Sequence, residues 1–421
     1  MRRSSFLILG LAVALLLPAC GGGGGGDTGT RTVRWYVFRE PSGAFEAAAR
    51  SCSESASGRY RIEIAELPAQ ADAQREQLVR RLAAEDSDID IVYMDVIWTA
   101  EFAEAGWIQP WDAAAARQLS EEVLQGPLAT ATYKDRLWAA PLTSNTQLLW
   151  YRKSLVPAGQ VPATWDQLIE FAERLPAGRN LVQEQGARYE GLTVWFNSLL
   201  ASAGGAVIQG AGQEAKVSIG GDATVRALEI LRRFARSRVA DPALATNTED
   251  PGRLRFQEGS SAFMLNWPFV YPSAREDAPE IFEDMGWARY PAVTAGERSR
   301  PPLGGANLGV GAFSKHPDLT REAIRCLVAP PRQADYAIRG GLPPTLARVY
   351  DDPAVRAEYP FADLLRESID DAAPRPVSPA YNDISRAIYT TIHPLRTIEP
   401  QRDAEELESK VSKAVRSEGL L

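Results

Sequence analysis

Residues 137–155 read LWAAPLTSNTQLLWYRKSL, and the fold turns on how this stretch is taken. Its first half is apolar enough to run extended through a hydrophobic layer, and TQLLWYRKSL reads as a second extended segment entering fresh sequence. Between them Thr143, Ser144, Asn145 and Thr146 form a polar knot, richer in side-chain donors and acceptors than ordinary core filling. If two lobes meet here, the knot lines the crevice between them, where small-molecule sites preferentially form. The alternative is a plain loop joining two strands of one domain.

A chain of 421 residues exceeds the size at which one core usually stops growing, so at least two packed units are expected. Its 45% hydrophobic and 24% charged fractions are globular values. The net charge of -8 and the lack of a clustered Lys/Arg surface argue against a nucleic-acid partner. The pairs Arg80-Arg81 and Arg232-Arg233 fall in amphipathic helical patterns and read as solvated faces.

The N-terminus carries a positive start at Arg2 and Arg3, a short apolar run from Phe6 to Leu17, and the ending Leu17-Pro18-Ala19-Cys20. The run is short for a transmembrane helix. The ending looks like a bacterial lipobox, from which Pro18 departs. Residues 1–19 are therefore expected to be a lipoprotein signal peptide. Cys20 would be the lipidated residue, and 20–30, with Gly21 to Gly26, a flexible tether. The chain would then be extracytoplasmic and touch the bacterial cell membrane only through its lipid anchor. A cleaved secretory peptide with an incidental Cys20 is the other reading.

With Cys20 lipidated, Cys52 and Cys326 are the remaining thiols, and an exported protein with one such pair is expected to bridge it. A bridge would bring early and late sequence into one lobe, which would then be discontinuous. Two buried free thiols are the alternative.

From the tether onward, strand patterns at Val33–Phe38, Arg61–Leu67 and Ile89–Met94 alternate with helical ones at Ser42–Cys52, Ala71–Glu85 and Trp98–Ala105. That alternation predicts a mostly parallel sheet covered by helices, with ligands beyond the carboxyl ends of the strands, where Asp95 falls. A second α/β lobe accounts for the helix capped by Thr164-Trp165-Asp166-Gln167, the helix Ala223–Arg238 and the strand Ser261–Leu265. Gly286–Tyr290 reads as the strand that crosses back, Leu308–Phe313 as a strand of the first lobe, and Leu319–Val328 as a helix able to present Cys326.

Three segments carry a family likeness: Asp95-Val96-Ile97-Trp98-Thr99-Ala100-Glu101-Phe102-Ala103-Glu104-Ala105-Gly106-Trp107, Asn145-Thr146-Gln147-Leu148-Leu149-Trp150-Tyr151-Arg152, and Asn266-Trp267-Pro268-Phe269. With the lipobox they resemble the extracellular solute-binding proteins that feed carbohydrate ABC importers, above all the trehalose-binding lipoproteins of mycobacterial type. The resemblance spans essentially all of the mature chain. It implies an α/β, two-lobed periplasmic-binding fold of type II, with hinge-linked discontinuous lobes at 31–143 with 291–346 and 144–290 with 347–421. It further implies a monomer that closes on a disaccharide, delivers it to a membrane permease pair served by cytoplasmic ATPases, uses no cofactor and performs no catalysis. The paired cysteines also resemble those of the close relatives.

A pyranose presents hydroxyls at its edge and flatter C–H faces, which suits short carboxylates, amides and an indole. Asp95 and Asn145 are the first candidates for hydroxyl recognition because they match cleft-lining positions of the relatives, and Trp267 is the stacking candidate; core filling is the other role for a Trp. Glu40 and Ser42 follow the first strand, Gln74 begins a helix, and Glu249 lies where the relatives present an acid, although Asp250-Pro251-Gly252 departs from them locally. Gly304, Gly305 and Asn307 would bring backbone donors close to ligand. Arg375 resembles an arginine that reaches the site from the second lobe, its alternative being a surface ion pair.

Trehalose is the first expected ligand, with maltose-like sugars and glycerophospho-polyols next. A secreted glycoside hydrolase would need two carboxyl groups at a defined separation, which no short motif enforces. A tethered scaffold would show no sugar-dependent closure. His316 and His393 lie in unlike contexts and start no metal-ligand cluster.

Overall fold

The computed structural model describes residues 29–68, 70–210 and 215–416. Residues 1–19, Cys20 and Gly21 to Gly26 lie outside the described residues. No helix among those described is long and apolar enough to cross a membrane.

The first sheet is built on Arg31–Phe38, which pairs in parallel with Tyr60–Leu67 on one side and Ile91–Asp95 on the other. The strand Leu303–Gly311 then joins antiparallel to Ile91–Asp95 and also pairs antiparallel with Ile108–Gln109 and Ala139–Thr146. The sheet is therefore mixed rather than mostly parallel. Its late strand arrives from the other lobe and so enters against the direction of strands joined by local helical crossovers. That strand is longer than the expected Leu308–Phe313, because Gly304 to Asn307 belong to the ladder instead of a preceding turn.

The chain leaves this sheet after Thr146 and enters the second at Leu148–Arg152, so Thr143 to Thr146 form strand and not a loop. The second sheet runs Met285–Ala288, Leu148–Arg152, Ser261–Asn266, Leu181–Gln183, with its last pair parallel. Met285–Ala288 stays at the edge of this sheet. It does not cross back; the crossing is made by the irregular segment that leads to Leu303.

Three apolar clusters hold the chain together. One lies around Trp35, Phe45 and Tyr336 in the first lobe. Another packs Trp165, Trp195 and Phe234 in the second, with ring centroids 5.4 Å apart for the tilted pair Trp165–Trp195 and for the edge-to-face pair Trp195–Phe234. The third gathers Trp150, Tyr271 and Phe361 with Leu303 and Leu346, and so ties segments from both sheets. Removing this much aromatic surface from water is the main stabilising term for each unit.

Cys52, on the helix Ala44–Ser55, is joined by a disulfide to Cys326, on the helix Pro317–Leu327, across a sequence separation of 274. The early and late pieces of the first lobe are thus covalently one. At the crossing, the Gln147 side-chain amide donates to Gln185 Oε1 at 2.7 Å, and Gln185 donates to the Leu265 carbonyl at 2.8 Å, anchoring the chain as it changes sheets.

Candidate functional site

Asp95 ends the strand Ile91–Asp95, and period-two alternation puts Tyr93 on the same face. Both side chains look into a cavity of about 440 Å³ between the two sheets, which Asn145, Gly304 and Gly305 also line. From the opposite side come Tyr189 and Glu190 at the start of the helix Glu190–Ser202, Glu249 at the start of Glu249–Gln257, and Trp267 just beyond the strand Ser261–Asn266. Helix starts and strand ends are the places where side chains can reach a crevice without leaving backbone polar groups stranded in the core.

Trp267 is half-buried and held by its neighbour. Asn266 Oδ1 accepts the Trp267 N–H at 2.9 Å, while Asn266 Nδ2 donates to the Glu249 carbonyl at 3.0 Å. One buried amide therefore ties the backbone of Trp267 to that of Glu249. Across the cavity Gly304 leaves room for the ring. A Cβ there would stand 2.9 Å from Trp267 Cζ3. Gly305 has φ +126° and admits the Thr143 carbonyl so closely that a Cβ would stand 2.2 Å from that oxygen. Only glycine fits such a backbone. Asn145 uses Oδ1 to accept the Thr146 N–H at 3.0 Å.

Arg375 connects the two sides. It lies between the helices Ala362–Asp370 and Tyr381–Ile392, with its side chain 6% exposed. Its guanidinium pairs with Glu190, approaches Asp95 Oδ1 at 3.4 Å and donates to the Leu303 carbonyl at 3.3 Å. The Tyr381 hydroxyl donates to the same Glu190 oxygen at 2.6 Å. Nε of Arg375 is buried with no hydrogen-bond partner.

Burial disfavours the Arg375 charge, but Glu190, Tyr381 and Asp95 outweigh it and hold the guanidinium protonated well above its usual range. Asp95 is raised, because desolvation exceeds what Arg375 returns to it. Glu249 is also raised by burial; the Tyr189 hydroxyl eases the shift and the Glu190 charge adds to it. Behind it Glu184 is fully buried with neither carboxylate oxygen hydrogen-bonded, and its pKa lies well above the ordinary carboxyl value, chiefly through desolvation.

Seven residues singled out in the sequence thus line one cavity: Asp95, Asn145, Glu249, Trp267, Gly304, Gly305 and Arg375. Glu40, Ser42, Gln74 and Asn307 do not. Glu40 accepts from the Ala44 N–H at 3.0 Å and from the Ser42 N–H at 3.0 Å, which makes it a cap for the first helix. Gln74 is buried one turn along the helix Ala71–Ala83 from the lining residues Gln70 and Asp72. At Asn307 the ladder register shifts, and the buried amide donates to Thr99 Oγ1 at 3.2 Å and Thr130 Oγ1 at 3.1 Å. Tyr93, Tyr189, Glu190 and Tyr381 were missed. Tyr93 was within reach through its two-residue spacing from Asp95. Tyr189 and Glu190 stand directly before the nearly unbroken apolar helix LTVWFNSLL, where polar residues mark a helix start aimed at an interface.

A wall of acids, an amide and a guanidinium beside a half-buried indole thus lies in a crevice between two lobes, where a small polar solute can be held. The family model of the bacterial extracellular solute-binding protein matches residues 65–334, and the chain belongs to that family. It is 27% identical over 355 residues to the "Probable ABC transporter-binding protein" of Deinococcus radiodurans, covering 80% of this chain and 82% of that one. Maltose-bound MalE3 of T. maritima superposes with a TM-score of 0.79 at 27% identity, covering 90% of this chain and 99% of the other. The GacH receptor of Streptomyces glaucescens, solved unliganded and with acarbose, gives a TM-score of 0.79 at 21% identity over 92% of this chain and 99% of its own, a likeness of fold. The fold is that of the type II two-lobed periplasmic binding proteins.

Proposed function

We propose that this chain is the substrate-binding lipoprotein of a sugar ABC importer, capturing an α-linked disaccharide between its lobes and presenting it to a permease pair driven by cytoplasmic ATPases. The observation that carries the reading is the pairing of Trp267 with Asp95, Asn145 and Arg375 around one cavity of about 440 Å³, inside the ~300–1,000 Å³ span of ligand pockets. The indole would cover a C–H face of one ring. The carboxylate, amide and guanidinium would take hydroxyls at its edge. The maltose in the T. maritima relative supports an α-linked glucose unit, and trehalose and maltose are the two ligands the reading favours.

Closure supplies the signal to the permease. Asp95 belongs to the first lobe while Trp267 and Glu249 belong to the second, so a sugar touching all three stabilises the closed arrangement more than the open one. A missing hydroxyl would leave a buried polar group unpaired, and selectivity follows from that cost. The protein acts as a monomer tethered through Cys20 after removal of residues 1–19, with lobes at 31–143 plus 291–346 and 144–290 plus 347–421. It leaves the glycosidic bond intact.

Isothermal titration of the full chain in mild detergent with trehalose, maltose, sucrose, glucose and glycerol tests this. Saturable heat with trehalose or maltose and little with glucose is expected, with no glucose released. Silence with every sugar, or hydrolysis of trehalose, would overturn the reading.

A further inference from the structure

Arg375 enters the cavity on a strap that begins at Asp371, directly after the helix Ala362–Asp370. The strap lies along the segment that carries the chain back from the second sheet to Leu303. The Ala373 N–H donates to the Pro301 carbonyl at 2.7 Å, the Leu303 N–H donates to the Ala373 carbonyl at 3.4 Å, and Pro302 is bridged in parallel with Ala373. Through its own carbonyl Leu303 then accepts from Arg375 Nη2 at 3.3 Å. The same residue opens the strand whose Gly304 and Gly305 line the cavity. Strap, returning chain and guanidinium therefore form one hydrogen-bonded unit.

The start of that unit is fixed by charge. Asp371 is 8% exposed and does not line the sugar cavity. It borders instead a separate groove of about 580 Å³, together with Arg289, Arg298 and Glu367. Its Oδ2 accepts from Arg289, the residue after the edge strand Met285–Ala288 of the second sheet. Its Oδ1 accepts at 2.8 Å from Arg298, which lies on the returning segment itself. One nearly buried carboxylate thus ties the second sheet to the chain that leaves it, shortly before Arg375. Fully exposed ion pairs contribute little, whereas a carboxylate mostly removed from water is costly to leave unpaired and is held firmly between two guanidiniums. Arg375 depends on such support. Its Nη2 already stands 3.4 Å from Asp95 Oδ1, so a small displacement of the strap would carry that contact beyond hydrogen-bonding reach.

From this we infer that Asp371 is a positioning residue for the sugar site: through Arg289 and Arg298 it locks the strap to the returning chain and so sets the Arg375 guanidinium between the two walls of the cleft. The inference rests on the sugar-receptor reading above and deepens it by placing a determinant of affinity outside the cavity.

Asp371→Asn keeps the side-chain shape and removes the charge. Arg289 retains Glu367 at 2.9 Å, and Arg298, whose side chain is 72% exposed, retains water, so no buried cation is stranded. Titration of the full chain in mild detergent with trehalose and maltose should show an affinity lower by about fivefold, the size of effect that residues off the ligand exert through a packed network. Arg298→Gln should lower it by about threefold, because its partner keeps Arg289 and its own head is screened by water. Neither variant should weaken binding further in an Arg375→Met background, a non-additivity that general loosening of the fold does not produce. Small-angle scattering of the ligand-free proteins reads the same coupling without sugar: Asp371→Asn should enlarge the radius of gyration of the parent and leave that of Arg375→Met unchanged. Undiminished affinity in both variants, or a loss that persists in full beside Arg375→Met, would overturn the positioning role while the sugar reading stands. Silence of the parent with every sugar would overturn the sugar reading. Scattering would then decide the role of Asp371: enlargement that vanishes beside Arg375→Met supports it, and an unchanged radius overturns it.

Discussion

Replacing Arg375 with Met preserves much of the side-chain volume and removes every donor it supplies. Three acceptors then lose the guanidinium: Glu190, which keeps the Tyr381 hydroxyl, Asp95, which keeps the Ile97 N–H, and the Leu303 carbonyl. Breaking a buried charge cluster by deleting one partner costs about 3–5 kcal/mol. Here the arginine side chain is 6% exposed but those of Asp95 and Glu190 are 30% and 31% exposed. Water will hydrate the two carboxylates in part, so about 2 kcal/mol is a fairer figure. Because Asp95 belongs to one sheet and Glu190 to the opposite wall, the loss falls largely on the closed arrangement of the lobes. At ~1.4 kcal/mol per decade the sugar affinity should drop about 30-fold. Titration calorimetry reads that drop, and small-angle scattering of the ligand-free protein should show a larger radius of gyration for the variant than for the parent. A cycle with Asp95→Asn should return a coupling of at least ~1 kcal/mol. An affinity within threefold of the parent together with an unchanged radius would refute the reasoning and make Arg375 a packing residue of the second lobe.

Three further expectations follow from the geometry. Trp267→Ala removes the platform and should weaken disaccharide binding by roughly 2 kcal/mol, the usual cost of a central aromatic anchor, with little change in melting temperature. Gly305→Ala puts a Cβ 2.2 Å from the Thr143 carbonyl at a φ of +126° and should destabilise the fold by about 3 kcal/mol or more, seen as an earlier denaturant midpoint. Glu184→Gln should change the pH dependence of stability. The parent carboxyl has its folded pKa raised, so the native state binds the extra proton, and parent stability falls as pH rises from the unfolded value near 4.3 toward the folded one. The variant lacks that slope. Its stability advantage over the parent should be smallest near pH 4 and grow with pH; a pH-independent difference would exclude Glu184 as the source.

How much of this was legible beforehand depends on which interactions are local. Period-two and 3.6-residue patterns marked Arg31–Phe38, Ile91–Asp95 and the helix carrying Cys326, because burial of one face is written into spacing. The polar knot at Thr143–Thr146 was noticed but its strand character was not. Its hydrogen-bond partners lie about 160 residues away at Leu303 to Ala306, beyond any local pattern. The same distance hid the antiparallel entry of Leu303–Gly311. In the site, Asp95, Asn145 and Trp267 stood out by residue type and family likeness, whereas Glu190 looked like an ordinary acidic first turn until Arg375 arrived from 185 positions downstream. Asn307 misled because its amide chemistry suits a ligand equally well and nothing local revealed the register shift that buries it against Thr99 and Thr130.

The strand Leu303–Gly311 sits between Ile91–Asp95 and Ala139–Thr146 in the first sheet, and this fixes an order of assembly. A chain emerging from its N-terminus can lay down the first three strands at once, but the gap in their sheet stays open until some 200 further residues have appeared. The second lobe's sheet closes with Met285–Ala288 before the return strand appears, but its core still waits for Ile384, Leu407 and Val411 from the C-terminal end. Until the return strand docks, the edge at Ile91–Asp95 has unpaired backbone groups and invites pairing with another chain. Secretion of this protein should therefore be most vulnerable to aggregation when synthesis or export stalls between residues 150 and 300, and a chain truncated there should be handled as a half-built sheet and not as a smaller receptor.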